Sequence, residues 1–558
     1  MAAFCSKKTG PDRTAGPPAD PHLPFEAVGR KGMVVAAHPL AVEAGLSVLR
    51  SGGNAVDAAV AVSFALNAAE PFASGIGGGG FMLLYLAKEN RVTAFNYREK
   101  APRLVRPEVF EEKGREGDEW RSTSGLAVAV PGALAGWSLA LKKYGTRPLA
   151  ELMKPALEIA DKGLAVSRNF SDINKEEYER LLKNAGEGSC YLSDGLPYEP
   201  GEVLRNADLA RTLERIGGQG VEAFYRGDLA EKIVEAVRAK GGVMALDDLA
   251  SYRAEEVSPL KGSYQGHSLY TIPPPGSGAF LIEFINIIEA WPVRTWGHNS
   301  VRYIHQLSEA LGFVFADRDR RLGDPDFVPV PLEELLAKSY AARIAGAIQP
   351  DRTLGEYPAG RFEKKSESMG NTTHLCVVDK HGNIAALTQS INDFFGSGIV
   401  PEGTGFLLNN HMKDFDPLPG RANSPGAERR PASSMAPLIM FKDDQPFLSL
   451  GSPGGVRIFS SLSQIIVNLI EFGMSLDEAI EAPRFFFALS GAEGRAVSVE
   501  SRIPESVLAR LEEIGHKIAI KDSHDRFFGG AQGILIDRSR GIIYGGADSR
   551  RDGTGKGY

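Results

Sequence analysis

The chain has 558 residues, 43% hydrophobic and 24% charged, with 63 basic against 70 acidic side chains and a net charge of −7. This ordinary globular composition excludes a disordered tail, a collagen-like fibre and a small disulfide scaffold. A mildly acidic chain is also a poor candidate for non-specific nucleic-acid or anionic-membrane binding. Three scattered cysteines without a CxxC, and ten histidines without HExxH or HxH, point to neither a disulfide framework nor a metal centre. No cofactor is expected.

Residues 1–30 carry Lys7, Lys8 and a proline-rich run. They lack the ~7–15-residue apolar region of a signal peptide. They read as a disordered leader, with the ordered chain starting near Gly29 and, as written, a cytoplasmic protein. A helix over 40–50 follows, with Val42, Leu46 and Leu49 on one face. Asn54 caps a second helix that runs to Ala69. Its apolar part, 58–69, is shorter than the ~20 residues of a membrane span, so it is a buried helix. Strands are predicted at 81–86 and 92–97. From about 124 to 350 helical patterns dominate, as in the segment from Asp228 to Gly241-Gly242. One strand is predicted at 264–272, and the polar stretch 361–371 reads as a loop. Beyond Thr372 strands are predicted at 374–379, 384–392, 438–441, 447–450, 497–500, 533–537 and 542–546, with helices at 461–472 and 475–482. Clustered rather than alternating elements indicate α+β.

Glycine is about 11% of the chain against a usual ~7%, so many backbone positions need positive φ or close approach. Gly75–Gly80 matches GxGxxG in letters, but a helix precedes it and a strand follows. That is the reverse of a dinucleotide fingerprint, and a tight helix-to-strand connection is the simpler reading. No GxSxG elbow is present. The Lys380-His381-Gly382 turn suits a three-residue hairpin loop. Counting back from Asp379 opposite Asn383 sets Thr372 opposite Ser390, two hydroxyls at a strand origin. A Thr hydroxyl is a weak nucleophile that needs a base, and a free N-terminal amine can be that base. The chain would have to be cut before Thr372.

Gly451-Ser452-Pro453-Gly454-Gly455 is either a glycine turn or a set of backbone amides facing an oxyanion. Ser433-Ser434 and Asn409-Asn410 are each caps or turns when taken alone. With Arg98, which can clamp a carboxylate, and Asp414, they can line a pocket for a zwitterion.

The strings SGGNAVDAAVA (51–61), SGIGGGGFMLLY (74–85), NYREKAP (96–102), VAVPGALAGW (128–137), IPPPGSGAF (272–280), TTHLCVVDKHGNIAALTQSIN (372–392), LLNNHMKDF (407–415), RPASSMAP (430–437) and GSPGG (451–455) carry a resemblance. In order and spacing, over roughly 31–558, the chain resembles the γ-glutamyltransferase family of N-terminal nucleophile hydrolases. The resemblance implies a four-layer αββα sandwich and self-cleavage between Asn371 and Thr372. The products would be a helix-rich large subunit (31–371) and a strand-rich small one (372–558). It implies Thr372 as nucleophile with its amine as base, and Ser390 as the hydroxyl that contacts it. Gly454 and Gly455 match oxyanion amides. Arg98, with Ser433, matches the residue that binds a substrate α-carboxylate, and Ser434 lines the pocket. Asp414 matches the carboxylate that holds the α-ammonium, and Asn392 is a neighbouring polar contact.

The chain departs from the family's pattern at His411, where Gln or Glu is common near the ammonium, and at Lys413, where an acid is usual. The family is usually exported. The partner implied is a small γ-glutamyl substrate such as glutathione, with neither nucleic acid nor membrane. Only residues 416–429, without an aromatic, separate Phe415 from Arg430, which is similar to family members without a lid. An acylase acting on a glutaryl-type amide would keep Thr372 without needing the zwitterion clamp. A non-processing binding protein of the same fold would stay one band on a denaturing gel.

Overall fold

The computed structural model describes residues 26–114, 119–357, 371–489 and 495–558. Two seven-stranded sheets form its centre. The first runs Ala27–Gly29, Ile542–Ala547, Gln532–Asp537, Gln445–Gly451, Leu438–Lys442, His267–Thr271, Leu260–Tyr264. The second runs Thr554–Gly557, Met33–Ala36, Asn371–Val378, Ile384–Asn392, Gly79–Leu86, Arg91–Tyr97, Glu255–Val257. Neighbours within both sheets are antiparallel.

The two-residue period of the strands builds the layers. On Asn371–Val378, Cys376 and Val378 point into the core between the sheets, with Phe81, Ile439 and Ile534. Leu375 and Val377 point the other way, onto a helical layer with Val56, Val60 and Phe64. On the far side, Leu438, Leu448 and Leu450 meet Phe284, Leu311 and Ile465. These come from the helices Gly278–Glu289, Val301–Arg321 and Ile458–Ile470. The result is the αββα order, α+β in class. Truncating a buried Leu in such a core costs ~2–5 kcal/mol.

The helix Ala55–Ala69 is buried along its whole length, as its apolar composition requires. Asn54 caps it as predicted, in a reciprocal box with Asp57. Its small residues let it lie flat on the second sheet.

Several boundaries differ from the sequence reading. Residues 1–25 of the expected leader lie outside the described residues. Residues 26–30, expected to belong to it, are folded: Ala27–Gly29 pairs with Ile543, Tyr544 and Gly545. The segment predicted as one strand at 264–272 is a hairpin, because Gln265 and Gly266 both take positive φ and turn the chain. The predicted loop at 361–371 lies outside the described residues except Asn371, which is already in a strand. Short strands at Met33–Ala36, Phe485–Ala488, Ile518–Lys521 and Thr554–Gly557 are not among the predicted elements. At four residues each they are too short to show a period.

Each sheet draws strands from both sides of residue 371. Met33–Ala36 and Gly79–Leu86 flank the pair Asn371–Val378 and Ile384–Asn392. Helix-side contacts also cross the divide, where His305 Nδ1 and His516 Nε2 share a hydrogen bond of 2.7 Å.

Candidate active site

The hairpin register predicted from the turn holds as far as Thr373, opposite Gln389. There the ladder slips, and Asn371 stands opposite Asn392. Asn392 absorbs the slip at φ 80°. This corrects the expected hydroxyl pair. Ser390 Oγ accepts from the Asn392 amide at 2.7 Å and donates to the Asn371 carbonyl oxygen at 2.5 Å. The serine therefore grips the peptide joining Asn371 to Thr372. Thr372 itself is buried, 4% exposed.

Arg551 holds the same junction from the chain's end. Its Nη1 donates to Asn371 Oδ1 at 2.5 Å and to the Thr372 carbonyl at 3.2 Å. Asn371 Nδ2 also donates to the Phe72 carbonyl at 3.3 Å.

The glycine run Gly77–Gly80 explains itself here. A Cβ at Gly78 would clash with the Ser390 carbonyl, and one at Gly79 with Glu99 and the Tyr97 carbonyl. The run is a close backbone approach beside the junction, as the simpler reading expected.

The second half of the site is a charge cluster. Arg98 follows the strand Arg91–Tyr97 and is fully buried. Its Nε donates to the Pro431 carbonyl at 3.1 Å. Its Nη2 donates to the Ala432 carbonyl at 3.1 Å and to Asp414 Oδ2 at 2.5 Å. Asp414 ends a short 3-10 turn, His411–Asp414, and its side chain keeps 24% exposure. Its other oxygen accepts from Asn392 Nδ2 at 2.9 Å, so one residue touches both the junction and the charge cluster.

Ser433 and Ser434 follow the carbonyls that hold Arg98. The Ser433 hydroxyl accepts from the Met435 amide at 3.2 Å, and Ser434 Oγ accepts from Arg318 Nη2 at 3.0 Å. Because Ser434 accepts from an arginine, its own proton is free to donate elsewhere. Burial pulls Arg318 below its ordinary value, while Asp319 and Asp414 support its charge.

His411 sits differently from expectation. It is 2% exposed and commits Nδ1 to Glu99 Oε1 at 2.7 Å. Glu99 in turn lies 3.3 Å from Arg98 Nη1. Burial pushes the Glu99 carboxyl up, but His411 and Arg98 outweigh it and hold it below the usual carboxylate range. His411 thus reaches the cluster through Glu99 and stands behind the pocket, because a buried Glu99 needs a second partner. Lys413 turns away too, to Asp393 at 2.8 Å. Asn409 is a structural residue: its amide ties Gly77 and Ala129 together.

Gly454 and Gly455 have φ 129° and 57° and turn the strand Gln445–Gly451 into the helix Ile458–Ile470. A Cβ at Gly451 would clash with the His374 ring. This brings the turn's root over the strand that begins at the junction. Burial lowers His374 to about 3, so it stays neutral beneath the site.

Residues 416–429 fold back on themselves. The Asp416 amide donates to the Asn423 carbonyl, and Asn423 bridges the Asp414 carbonyl and the Ala432 amide.

Sequence reasoning missed Glu99, Arg318 and Arg551. Glu99 lies inside a quoted string, but only the fold shows that it pairs with His411. Arg318 reads as an ordinary base at a helix C-terminus. Arg551 lies in a short polar tail with no period to place it.

Two stacked sheets between helical layers, with a threonine at a strand origin beside a gripped peptide, define an N-terminal nucleophile hydrolase sandwich. The gamma-glutamyltranspeptidase family model matches residues 41–558, and the chain belongs to that family. It is 38% identical over 544 residues to the glutathione hydrolase proenzyme of Bacillus subtilis (strain 168), covering 94% of this chain and 91% of that one. It is 39% identical over 536 residues to the acylase ACY 1 proenzyme of Pseudomonas sp. (strain SE83), covering 95% and 94%. The solved cephalosporin acylase from Bacillus halodurans superposes with a TM-score of 0.87 at 30% identity, over 98% of this chain and 99% of that one.

Proposed function

We propose that this γ-glutamyl hydrolase and transferase cuts its own chain between Asn371 and Thr372 and then uses Thr372 on γ-glutamyl amides such as glutathione. In the first reaction Thr372 Oγ attacks the Asn371 carbonyl carbon. The hydroxyl proton passes to the Thr372 nitrogen as the C–N bond breaks. Water then hydrolyses the resulting ester, leaving an Asn371 carboxylate and a free Thr372 amine. Ser390 donates to the oxygen on which negative charge develops.

In the second reaction the freed amine takes the Oγ proton while Oγ attacks the γ-carbonyl of the substrate. The amine leaving group departs with that proton, and water or an amino acceptor resolves the γ-glutamyl ester. The amides of Gly454 and Gly455 serve the oxyanion of this second reaction. Arg98, with Ser433 and Ser434, takes the α-carboxylate. Asp414, oriented by Asn392, takes the α-ammonium.

The observation that carries the reading is the Arg98–Asp414 pair at 2.5 Å, a plus and a minus side by side, ready for a zwitterion. The similarity to acylases favours a second reading, a glutaryl-type amide, which has the carboxylate without the ammonium. The test compares γ-glutamyl and glutaryl anilides with the wild type and Asp414→Ala. The γ-glutamyl reading expects a strong wild-type preference for γ-glutamyl, largely erased in the variant. Losing an ion-pair partner of this kind costs ~2–5 kcal/mol. Faster turnover of the glutaryl anilide, with no effect of Asp414→Ala, would install the acylase reading.

A further inference from the structure

The junction is held where the sheet cannot hold it. A strand is normally fixed by its ladder, but the ladder between Asn371 and Thr373 is broken by the register slip. The reacting peptide therefore needs other anchors to keep its carbonyl in a near-attack geometry. Ser390 supplies one, on the Asn371 carbonyl. A charged anchor is Arg551, whose Nη1 reaches one acceptor on each side of the bond: the Asn371 side-chain oxygen before it and the Thr372 carbonyl after it.

We infer that Arg551 is a positioning residue for self-cleavage, clamping both flanks of the Asn371–Thr372 peptide while Ser390 polarises its carbonyl. The inference rests on the self-cleavage reading above. Arg551 touches neither the attacking hydroxyl nor the reacting carbonyl, so it acts through geometry.

Its surroundings fit a fixed clamp. Arg551 is 8% exposed, and burial pulls its guanidinium below the ordinary value, offset chiefly by the carboxyl of Glu70, with Arg526 opposing and Asp548 and Asp552 supporting. Glu70 closes the C-terminal end of the helix Ala55–Ala69. Asp552 is itself anchored by Ser167 and Asn169. Phe394 lies 6.0 Å from the guanidinium, along a ring face. One Nη1 group reaches both acceptors, and the planar guanidinium fixes it more rigidly than a flexible ammonium stem would.

The clamp is asymmetric in time. Once the bond is cut, Asn371 becomes a chain end and the contact across the junction no longer constrains the nucleophile. Only the contact to the Thr372 carbonyl persists. Arg551 should therefore matter more for maturation than for turnover.

The test follows the chain through cell-free synthesis and reads uncut and cut bands on a denaturing gel over time. Arg551→Met is expected to slow cutting at least tenfold, and Arg551→Lys to fall between it and the wild type. Turnover per mole of cut chain should fall by a smaller factor than the cutting rate. Folding is checked by melting each variant in an uncut Thr372→Ala background. Cutting at the wild-type rate in Arg551→Met would overturn the inference. So would an equal loss in turnover, or unfolding of both variants at the assay temperature. A wild type that stays uncut, or a Thr372→Ala chain that is cut, would instead sink the self-cleavage reading on which the inference stands.

Discussion

The junction and the charge cluster lie side by side, share Asn392, and are built on opposite plans. At the junction every anchor is already engaged within the chain: Ser390 on the Asn371 carbonyl, Arg551 on both flanks, Phe72 on the Asn371 amide. Nothing waits for a ligand. In the cluster Arg98 and Asp414 pair across the pocket, Arg98 held from behind by Glu99 and two backbone carbonyls and Asp414 by Asn392, and Asp414 remains partly exposed. A zwitterion can replace that pairing charge for charge. In the uncut chain the first region is arranged for one intramolecular reaction, and the second for repeated exchange with solvent and substrate. The contrast explains why the two need different physics: preorganised dipoles in a dry place for one, a reversible ion pair at a rim for the other.

The sharpest way to break the contrast is at Ser390. Removing one preorganised donor to an oxyanion costs ~10²–10³ in rate. Ser390→Ala is expected to slow appearance of the two fragments by about that factor. A denaturing gel over time measures it, and cutting at the wild-type rate would mean that the grip on Asn371 is idle.

A smaller effect is expected at the open side of the cluster. Residues 416–429 are tied through Asn423 to the Asp414 carbonyl and the Ala432 amide, and the Asp414 side chain stays partly exposed beside them. A lid excludes water from an acyl intermediate. Without one, hydrolysis should compete strongly with transfer. Glutamate release from a γ-glutamyl anilide at pH 8, with and without glycylglycine, measures the split. A many-fold gain in turnover with near loss of glutamate release would show that the pocket is closed to water.

The smallest effect concerns the helical layer on the outer face of the first sheet. Burial, with His305 adding to it, lowers His516 to about 3, against about 6.5 unfolded. The folded state then holds a neutral ring where the unfolded chain binds a proton. Its contribution to stability is present above about pH 6.5 and is lost as pH falls towards 3. Glu70 and Asp477, raised by burial to about 8 and about 7, act with the opposite sign. The comparison is therefore between wild type and His516→Gln. From pH 7 to pH 5 the melting temperature of the wild type should move further downward than that of the variant. Parallel curves would remove His516 from the acid response.

Legibility followed locality. The helix from Ala55, its Asn54 cap and the hairpin around Gly382 are short-range, and turn chemistry with period suffices for them. The register counted back from Asp379 was right to Thr373 and failed by one residue at Asn371, because a bulge leaves no mark in an alternating pattern. Ser390 is reached by counting the hairpin register, Arg98 and Asp414 by their charge and Asn392 through a motif string, and the fold brings the four together. His411 was in a string as well, but its partner Glu99 is a matter of tertiary burial, which spacing does not encode. Arg551 comes to Asn371 across most of the small segment, and only the folded sheets make that contact.

The central claim is that one residue both divides the chain and carries the acyl group. Mass spectrometry with N-terminal sequencing of the purified protein, beside its Thr372→Ala variant, addresses it most directly. The account predicts two chains from the wild type, the smaller beginning at Thr372 and carrying a γ-glutamyl adduct when trapped with substrate. It predicts a single intact, inactive chain from the variant. A small chain that begins elsewhere, or a Thr372→Ala protein that divides and turns over γ-glutamyl anilide, would contradict it.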